Sequence, residues 1–154
     1  MSESLGKKFE QKFKEDFLKM PNSTIDRLYD VTLGYKTISQ VCDFIGYVYP
    51  HIAYLECKAY KGNTFPLSKL TQYEKLLTKK DINGVIAGVV IWFYEHDKVL
   101  FAPIKIIEQM KNDGKKSIKY TDNELYNIID VPSVKRRTFM DSDYSVIFKE
   151  VKNG

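Results

Sequence analysis

Cysteine and histidine are scarce in this sequence, with two residues of each among 154. Cys42 and Cys57 form no C-x-x-C pair, and neither pairs with a histidine in a pattern typical of metal ligands. A zinc site and a disulfide framework are therefore excluded, and both thiols are expected to be buried, apolar and kept in a reducing compartment. His51 and His96 fall at apparent turns and offer no catalytic triad.

The sequence also lacks a long hydrophobic run. The longest, Val85–Tyr94, is too short to span a membrane, and Met1–Met20 is charged throughout, unlike a signal peptide. Repeats, low-complexity tracts and linkers are missing as well. We therefore expect a single domain over residues 1–154, in a soluble, cytoplasmic protein with no membrane partner.

The composition is that of a globular protein, with 44% hydrophobic and 29% charged residues. The net charge of +4 at pH 7 is compatible with a polyanionic partner, although it does not prove one. The 11 tyrosines and 9 phenylalanines suit a core with wet edges or stacking on bases, and a core is the default interpretation.

The stretch Ile52–Tyr60 (IAYLECKAY) alternates small apolar residues with polar or aromatic ones, which predicts a β-strand with two unlike faces. Glu56 and Lys58 share one face of this strand, two residues apart. Leu55 and Cys57 lie on the other face, which has the character of a protein core. A carboxylate and an ammonium group are thus predicted side by side on a half-buried strand.

A second acid, Asp43, precedes this strand in the segment Val41–Tyr49 (VCDFIGYVY). The two segments predict an antiparallel pair that turns at Pro50-His51, so Asp43 and Glu56 are expected to converge. An acid followed by acid-x-Lys is the pattern of metal-dependent nucleases. A surface salt bridge on an amphipathic strand is the alternative, because Glu-x-Lys also occurs at residues 10–12 and 150–152.

Phosphodiester hydrolysis explains why these residue types occur together. Mg²⁺ prefers oxygen ligands, and Asp43 and Glu56 can supply them, with the Cys57 backbone carbonyl as a third. A bound metal acidifies a water molecule and polarises the phosphoryl oxygen. Lys58 is then placed to position that water or to stabilise charge on the phosphate.

The remaining pattern predicts helices and strands around this pair. Leu5, Phe9, Phe13 and Phe17 predict a helix over Ser4–Lys19, and Val85–Tyr94 predicts a central strand buried on both faces. Further predicted elements are a strand entry at Thr24–Tyr29, a loop or hairpin at Asp30–Ser39, a helix N-capped by Ser68, a strand at Val99–Ala102, helices at Ile104–Met110 and Asp122–Ile129, and a last strand at Tyr144–Val151. The expected fold class is α/β or α+β with a mixed sheet.

Several stretches taken together resemble one family. They are GKKFE at Gly6–Glu10, CDFIGY around Asp43, LECKAYKGNTFPL at Leu55–Leu67 and GKKSIKYTDNEL at Gly114–Leu125. In this order the sequence resembles RecU-type Holliday junction resolvases, which are PD-(D/E)xK nucleases. The resemblance implies the restriction-endonuclease-like fold, a mixed central sheet flanked by helices.

The resemblance also implies roles for individual residues. Asp43 and Glu56 become metal ligands and Lys58 the catalytic lysine, with Glu10 and Gln72 as further catalytic residues. A stalk is expected near residues 27–39. The implied activity is Mg²⁺-dependent resolution of four-way DNA junctions by paired nicks, with Mn²⁺ as a substitute, in a homodimer whose two active sites match the two nicks.

Basic and aromatic residues then become candidate DNA contacts that recognise backbone shape rather than base identity. They are Lys7, Lys8, Arg27, Tyr35, Lys36, Lys61, Lys69, Lys115, Lys116, Lys119, Lys135, Arg136 and Arg137. For each of them a solvated surface role is the alternative.

Two other functions stay open on the sequence. One is another PD-(D/E)xK nuclease, of the restriction or repair type, which would use the same core residues. The other is a non-catalytic protein that binds branched DNA on a nuclease scaffold, against which the intact Asp43, Glu56 and Lys58 argue. The compact size would suit a phage-encoded member of the family.

Overall fold

A helix built on phenylalanine opens the fold of the computed structural model, which describes residues 4–152. This helix, α1, spans Leu5–Phe17 and begins where the Ser4 hydroxyl accepts a hydrogen bond from the Lys7 N–H, at 3.3 Å. Phe9, Phe13 and Phe17 recur every four residues, and all three are buried. The predicted amphipathic helix is present, and its apolar stripe faces the sheet.

Twelve strands and three further helices follow α1. The strands are β1 (Ser23–Arg27), β2 (Val31–Leu33), β3 (Lys36–Ile38), β4 (Phe44–Val48), β5 (His51–Tyr60), β6 (Thr64–Pro66), β7 (Val85–Phe93), β8 (Lys98–Pro103), β9 (Ser117–Lys119), β10 (Ile129–Asp130), β11 (Ser133–Lys135) and β12 (Met140–Ser142). The helices are α2 (Tyr73–Leu77), α3 (Ile104–Asn112) and α4 (Ser145–Lys152), with 3₁₀ turns at Leu67–Lys69 and Asp122–Glu124.

The central sheet is mixed and has the strand order β1-β4-β5-β7-β8-β10. Its neighbours pair antiparallel except for β5 and β7, which are parallel and paired from Ile52↔Val85 to Tyr60↔Phe93. Strand β7 is buried almost throughout, as its continuous apolar run predicts. Strand β5 alternates instead, with Ala53, Leu55 and Cys57 facing the core that α1 covers.

Helices cover both faces of this sheet. Helices α1 and α4 close one face, where Phe13 packs its ring against Phe44 and Tyr144. Helices α2 and α3 close the other face through residues such as Leu76 and Ile107. The result is the predicted mixed sheet flanked by helices. No helix within residues 4–152 has the length and apolar character needed to cross a lipid bilayer.

Strands β2 and β3 form a separate hairpin that stands away from the sheet. Every residue from Val31 to Ser39 is exposed, including Leu33 and Tyr35. Gly34 has φ +64° in the two-residue turn, a conformation that glycine adopts readily. The hairpin predicted for Asp30–Ser39 is present.

Three predicted elements are wrong. Tyr144–Val151 is not a strand: helix α4 begins at Ser145, and Tyr144 and Phe148 point into the same core. Asp122–Ile129 is not a helix but a 3₁₀ turn followed by β10. Ser68 does not cap a helix, because it lies inside the 3₁₀ turn Leu67–Lys69 and α2 starts only at Tyr73.

Two boundaries also differ from the prediction. Strand β4 begins at Phe44, so Asp43 lies one residue before the strand instead of inside it. His51 is the buried first residue of β5, not part of an exposed turn. Despite these two differences, β4 pairs antiparallel with β5 as predicted.

Candidate active site

The pairing of β4 with β5 determines where Asp43 lies. Phe44 pairs with Leu55, so the preceding residue, Asp43, stands beside Glu56 and Cys57. Its Oδ2 accepts a hydrogen bond from the Cys57 N–H at 2.9 Å. The tight turn between the two strands therefore brings together two acids that are 13 residues apart in the chain.

Glu56 is a buried acid with an unsatisfied oxygen. Its side chain is on the face of β5 opposite to α1, and the residue is only 5% exposed. Oε2 lies 3.3 Å from Lys58 Nζ, whereas Oε1 is buried without any hydrogen-bond partner. Burial, followed by the charge of Asp43, raises the pKa of Glu56 to about 7, against an ordinary 4.5.

Asp43 experiences opposing influences. Burial raises the pKa of Asp43, and the charge of Glu10 adds to this effect. The Cys57 N–H, Arg27 and Lys58 act in the other direction by stabilising the carboxylate. Two neighbouring acids that both resist ionisation form a site where a cation would relieve an electrostatic cost.

Lys58 provides the ammonium group of this site. It follows Glu56 by two residues on the same face of β5, as strand periodicity requires. Its side chain is 29% exposed, so Nζ contacts the buried carboxylate while part of the side chain remains open to solvent. The lysine therefore has access both to the acids and to a molecule bound against them.

A polar cavity of about 270 Å³ opens above the two acids. Gln72, immediately before α2, lines it together with Asp43 and Glu56. Thr71 and Cys42 line it as well, and in the sequence each is distinguished only by its neighbour, Gln72 or Asp43. The structure thus brings Gln72 to the acids from a separate element, across the crossover between β5 and β7.

Glu10 reaches the site from helix α1 through an arginine. Its Oε1 accepts a hydrogen bond from Arg27 Nε at 2.7 Å, and Arg27 NH2 lies 3.5 Å from Asp43 Oδ1. Arg27, at the end of β1, thus connects the two acids. This ion-pair network was missed by the sequence analysis, which assigned Arg27 to DNA contact alone.

The two cysteines are free and buried. Burial raises the pKa of the Cys42 thiol to about 12, and burial holds the pKa of the Cys57 thiol well above its ordinary value. The Cys57 side chain points into the core under α1, away from Glu56. The thiol therefore cannot be a ligand beside Glu56, and the metal contact expected of the Cys57 backbone carbonyl stays a prediction.

The donor set fits a hard divalent cation that keeps several water molecules. Within the described residues, no three His, Cys, Asp or Glu side chains are grouped closely enough to form a metal cluster. Asp43 and Glu56 still present two adjacent carboxylates, one with a buried oxygen that lacks a partner. One or two carboxylates with retained water is the usual coordination of Mg²⁺ in proteins.

The candidate DNA contacts fall into several surface regions. Lys7 and Lys8 are exposed on α1, and Tyr35 and Lys36 are exposed at the hairpin turn. The pairing of β6 with β9 gathers further exposed lysines along one ribbon: Lys61, Lys69, Lys115, Lys116 and Lys119.

The predicted basic cluster at residues 135–137 is partly engaged with acids. Lys135 Nζ lies 2.7 Å from Asp97, and Arg136 Nε lies 2.6 Å from Asp141. Arg137 is exposed. These ion pairs do not prevent contact with phosphates, because exposed pairs are weak and exchange partners readily.

The fold, with its paired acids and lysine on adjacent central strands, is that of a restriction-endonuclease-like nuclease. Residues 12–137 match the family described as Recombination protein U, RecU. The chain belongs to the RecU family. This confirms the resemblance to RecU-type Holliday junction resolvases and, with it, the expected fold and the endonuclease class.

A solved structure shows a similar fold. It is Hjc of Archaeoglobus fulgidus, described as a Holliday junction resolvase from an archaeal hyperthermophile, with a TM-score of 0.57 and 20% sequence identity. The match covers 79% of this chain and 93% of that chain. No curated protein sequence gives a significant match. Glu10 precedes the family match by two residues, whereas Asp43, Glu56, Lys58 and Gln72 lie within it.

Proposed function

We propose that this protein is a Mg²⁺-dependent endodeoxyribonuclease that resolves four-way DNA junctions by paired nicks. One observation carries the proposal: in a member of the RecU family, the buried pair Asp43–Glu56 leaves one carboxylate oxygen without a partner, beside Lys58 and a polar cavity. A structural acid would have its hydrogen bonds satisfied. An acid left incomplete in a cavity instead fits a ligand that arrives from solution.

Asp43 and Glu56 are the residues that would hold the metal, with the Cys57 backbone carbonyl as a third oxygen. Mg²⁺, when bound there, would supply an acidified water and a polarised phosphoryl oxygen. Their electrostatics support this assignment, because burial raises the pKa of both acids, and the charges of Glu10 and Asp43 further raise those of Asp43 and Glu56 respectively. Mn²⁺, which accepts the same oxygen ligands, is expected to substitute.

Lys58, Gln72 and Glu10 complete the proposed catalytic set. Lys58 Nζ would orient the attacking water or stabilise charge on the phosphate, because it lies beside Glu56 and is partly exposed. Gln72 offers an amide donor and acceptor on the wall of the same cavity. Glu10 acts from α1 through its contact with Arg27, which in turn faces Asp43.

The exposed basic residues would hold the DNA backbone. Lysines on α1 and on the β6–β9 ribbon can neutralise phosphates without selecting a sequence. The projecting β2–β3 hairpin, with Tyr35 fully exposed at its turn, is the proposed stalk that contacts the branch. Recognition would then depend on the shape of the junction, which supports branched DNA as the substrate.

A homodimer is part of the proposal, because two symmetric nicks require two active sites and this chain carries one acid–acid–Lys set. Mixing wild-type protein with Lys58→Ala protein tests it. Mixed dimers should nick one strand of a junction without cutting its partner. Independent monomers would nick each strand separately, so added Lys58→Ala protein would leave nicking by the wild-type protein unchanged.

We also propose that residues 1–154 form a single nuclease domain and that the protein acts in the cytoplasm. The single central sheet supports one domain. The proposed DNA substrate and the two free, buried cysteines of the protein support the cytoplasm, where thiols stay reduced. A phage origin stays a prediction.

The central test is cleavage of a synthetic four-way junction with Mg²⁺. Lys58→Ala should lower the rate about 10²-fold or more, because it removes a donor aimed at the reacting phosphate. Lys98→Ala is the matched control, since Lys98 lies on β8 and pairs with Asp130 on the edge strand β10. No cleavage by the wild-type protein with either Mg²⁺ or Mn²⁺ would overturn the proposal.

Comparing substrates separates the alternatives. Junction, flap, single strand and plain duplex are cut in parallel, and a preference for duplex at one sequence would indicate a restriction-type nuclease. A non-catalytic role would appear as junction binding that is unchanged by Asp43→Asn, with no cleavage by either form.

A further inference from the structure

Arg27 lies between two acids that belong to opposite sides of the site. Its Nε contacts Glu10 Oε1 at 2.7 Å, and its NH2 lies 3.5 Å from Asp43 Oδ1. The second Asp43 oxygen, Oδ2, is already bonded to the Cys57 N–H. The guanidinium therefore faces the one Asp43 oxygen that remains open for a metal.

The guanidinium is held in place from several directions. It contacts the Leu28 carbonyl through NH1, and the Asp43 carbonyl lies 3.4 Å from the same nitrogen. The ring of Tyr29 lies 5.0 Å and the ring of Phe44 5.7 Å from its central carbon. With these contacts Arg27 is the positive charge that balances Glu10 and Asp43 in the protein alone.

Arg27 also separates two cavities of opposite character. On one side is the acidic cavity with Asp43 and Glu56. On the other is a groove of about 700 Å³ in which four lysines of α1 outnumber its two acids, Glu10 and Glu15. Arg27 and Tyr29 line both. A guanidinium that leaves the carboxylates has an adjacent basic groove to enter, where a phosphate is the complementary ligand.

We propose that Arg27 is a resident counter-cation that a divalent metal displaces from Asp43, and that the displaced guanidinium then contacts a DNA phosphate in the basic groove. This inference rests on the proposed metal site. A monovalent and a divalent cation compete for the same carboxylate because their charges repel at short range. Metal binding and DNA binding would then be coupled, so the site is completed only when both are present.

Metal affinity without DNA gives the first test. Mn²⁺ binding is measured by electron paramagnetic resonance for the wild type, Arg27→Gln and Lys105→Gln, where Lys105 is an exposed lysine paired with Asp81. Arg27→Gln should bind Mn²⁺ about tenfold more tightly, while the control matches the wild type. Equal or weaker binding by Arg27→Gln would overturn the inference while the metal site itself stands. A wild type that binds no Mn²⁺ would overturn both.

The wild-type protein offers a second test that needs no variant to fold. The chain has three arginines, at positions 27, 136 and 137, so their side-chain Nε–Hε signals can be resolved by nitrogen-15 NMR. Saturating Mg²⁺ should shift the Arg27 signal, because the guanidinium moves away from Asp43 when the cation takes its place. The Arg136 and Arg137 signals should not change. An unchanged Arg27 signal in the metal-bound protein would refute displacement.

Coupling to DNA is tested with Ca²⁺ as the probe cation and a four-way junction. The ratio of junction affinities with and without Ca²⁺ should be at least threefold smaller for Arg27→Gln than for the wild type and Lys105→Gln. Comparing ratios removes the effect of Ca²⁺ on the DNA itself. The same ratio in all three proteins would show that Arg27 does not transfer to phosphate.

Discussion

Two buried carboxylates in this protein have opposite surroundings. Asp16 in α1 is 2% exposed and fully partnered, by Lys12 at 2.9 Å, Lys19 at 3.0 Å and the Ser142 N–H at 3.0 Å. Glu56 is 5% exposed, and one of its oxygens has no partner. A satisfied acid stabilises the fold around it, whereas an unsatisfied one costs stability and is kept for another purpose.

The same acid-to-amide change at both positions makes the comparison testable. The largest expected effect is on catalysis. Glu56→Gln should lower junction cleavage by about 10²-fold or more, because it removes the charge proposed to hold the metal. Asp16→Asn should keep its rate within about threefold, measured per folded molecule under single turnover. Equal losses for both would mean that Glu56 is no more catalytic than Asp16.

The second effect is on stability, and here Asp16 dominates. Asp16→Asn should lower the free energy of unfolding by about 2–3 kcal/mol, because its amide turns a donor toward Lys12 or the Ser142 N–H. Urea unfolding at pH 7 measures this loss. An unchanged free energy of unfolding would show that Asp16 does not stabilise the buried contact between α1 and β12.

The third effect has the opposite sign. The pKa of Glu56 is about 7 in the folded protein against an ordinary 4.5, so the folded state binds the proton more tightly than the unfolded state. The stability of the metal-free wild type should therefore fall as pH rises from about 4.5 to 7. Glu56→Gln carries no charge to bury, so its free energy of unfolding should exceed that of the wild type by roughly 1–3 kcal/mol at pH 8. At pH 4, where Glu56 is mostly protonated in both states, the two proteins should differ little. Urea unfolding with chelator at both pH values checks the sign.

The smallest effect is stabilisation by metal. Mg²⁺ at roughly five times its Kd should stabilise the wild type by about 1 kcal/mol, because only the folded state offers the site. Asp16→Asn should gain the same free energy of unfolding from Mg²⁺, although its stability without metal is lower. Glu56→Gln should gain little. Thermal unfolding with and without Mg²⁺ measures all three, and a full increment in Glu56→Gln would place the metal elsewhere.

The site shows how far sequence reasoning reaches. The meeting of Asp43 with Glu56 follows from strand alternation and a tight turn at Pro50, both of which are local signals. Glu56 and Lys58 share a face for the same reason. The pair Glu10–Arg27 joins α1 to β1, and the angle at which a helix packs on a sheet is not encoded in local periodicity. That contact therefore required the structure.

The C-terminal error was avoidable. Tyr144, Ile147 and Phe148 have helical spacing, and the Asp143 carboxylate accepts a hydrogen bond from the Ser145 N–H at 3.0 Å, as at a helix start. The β-branched Val146 and Ile147 suggested a strand instead. By contrast, β7 was predictable, because a continuous apolar run is typical of a central strand that is buried on both faces.

The β2–β3 hairpin lies in the chain between two residues of the site, Arg27 at the end of β1 and Asp43 before β4. It leaves the sheet just after Arg27 and returns just before Asp43, and its base is tied by the Leu28 N–H to the Asp43 carbonyl at 2.7 Å. A displacement of the tip at Tyr35 can reach the sheet through this hydrogen bond. The hairpin is thus attached to the sheet at the backbone of Asp43, the residue whose carboxylate lines the acidic cavity. Contact of the hairpin with a ligand can therefore be transmitted to the position of that carboxylate.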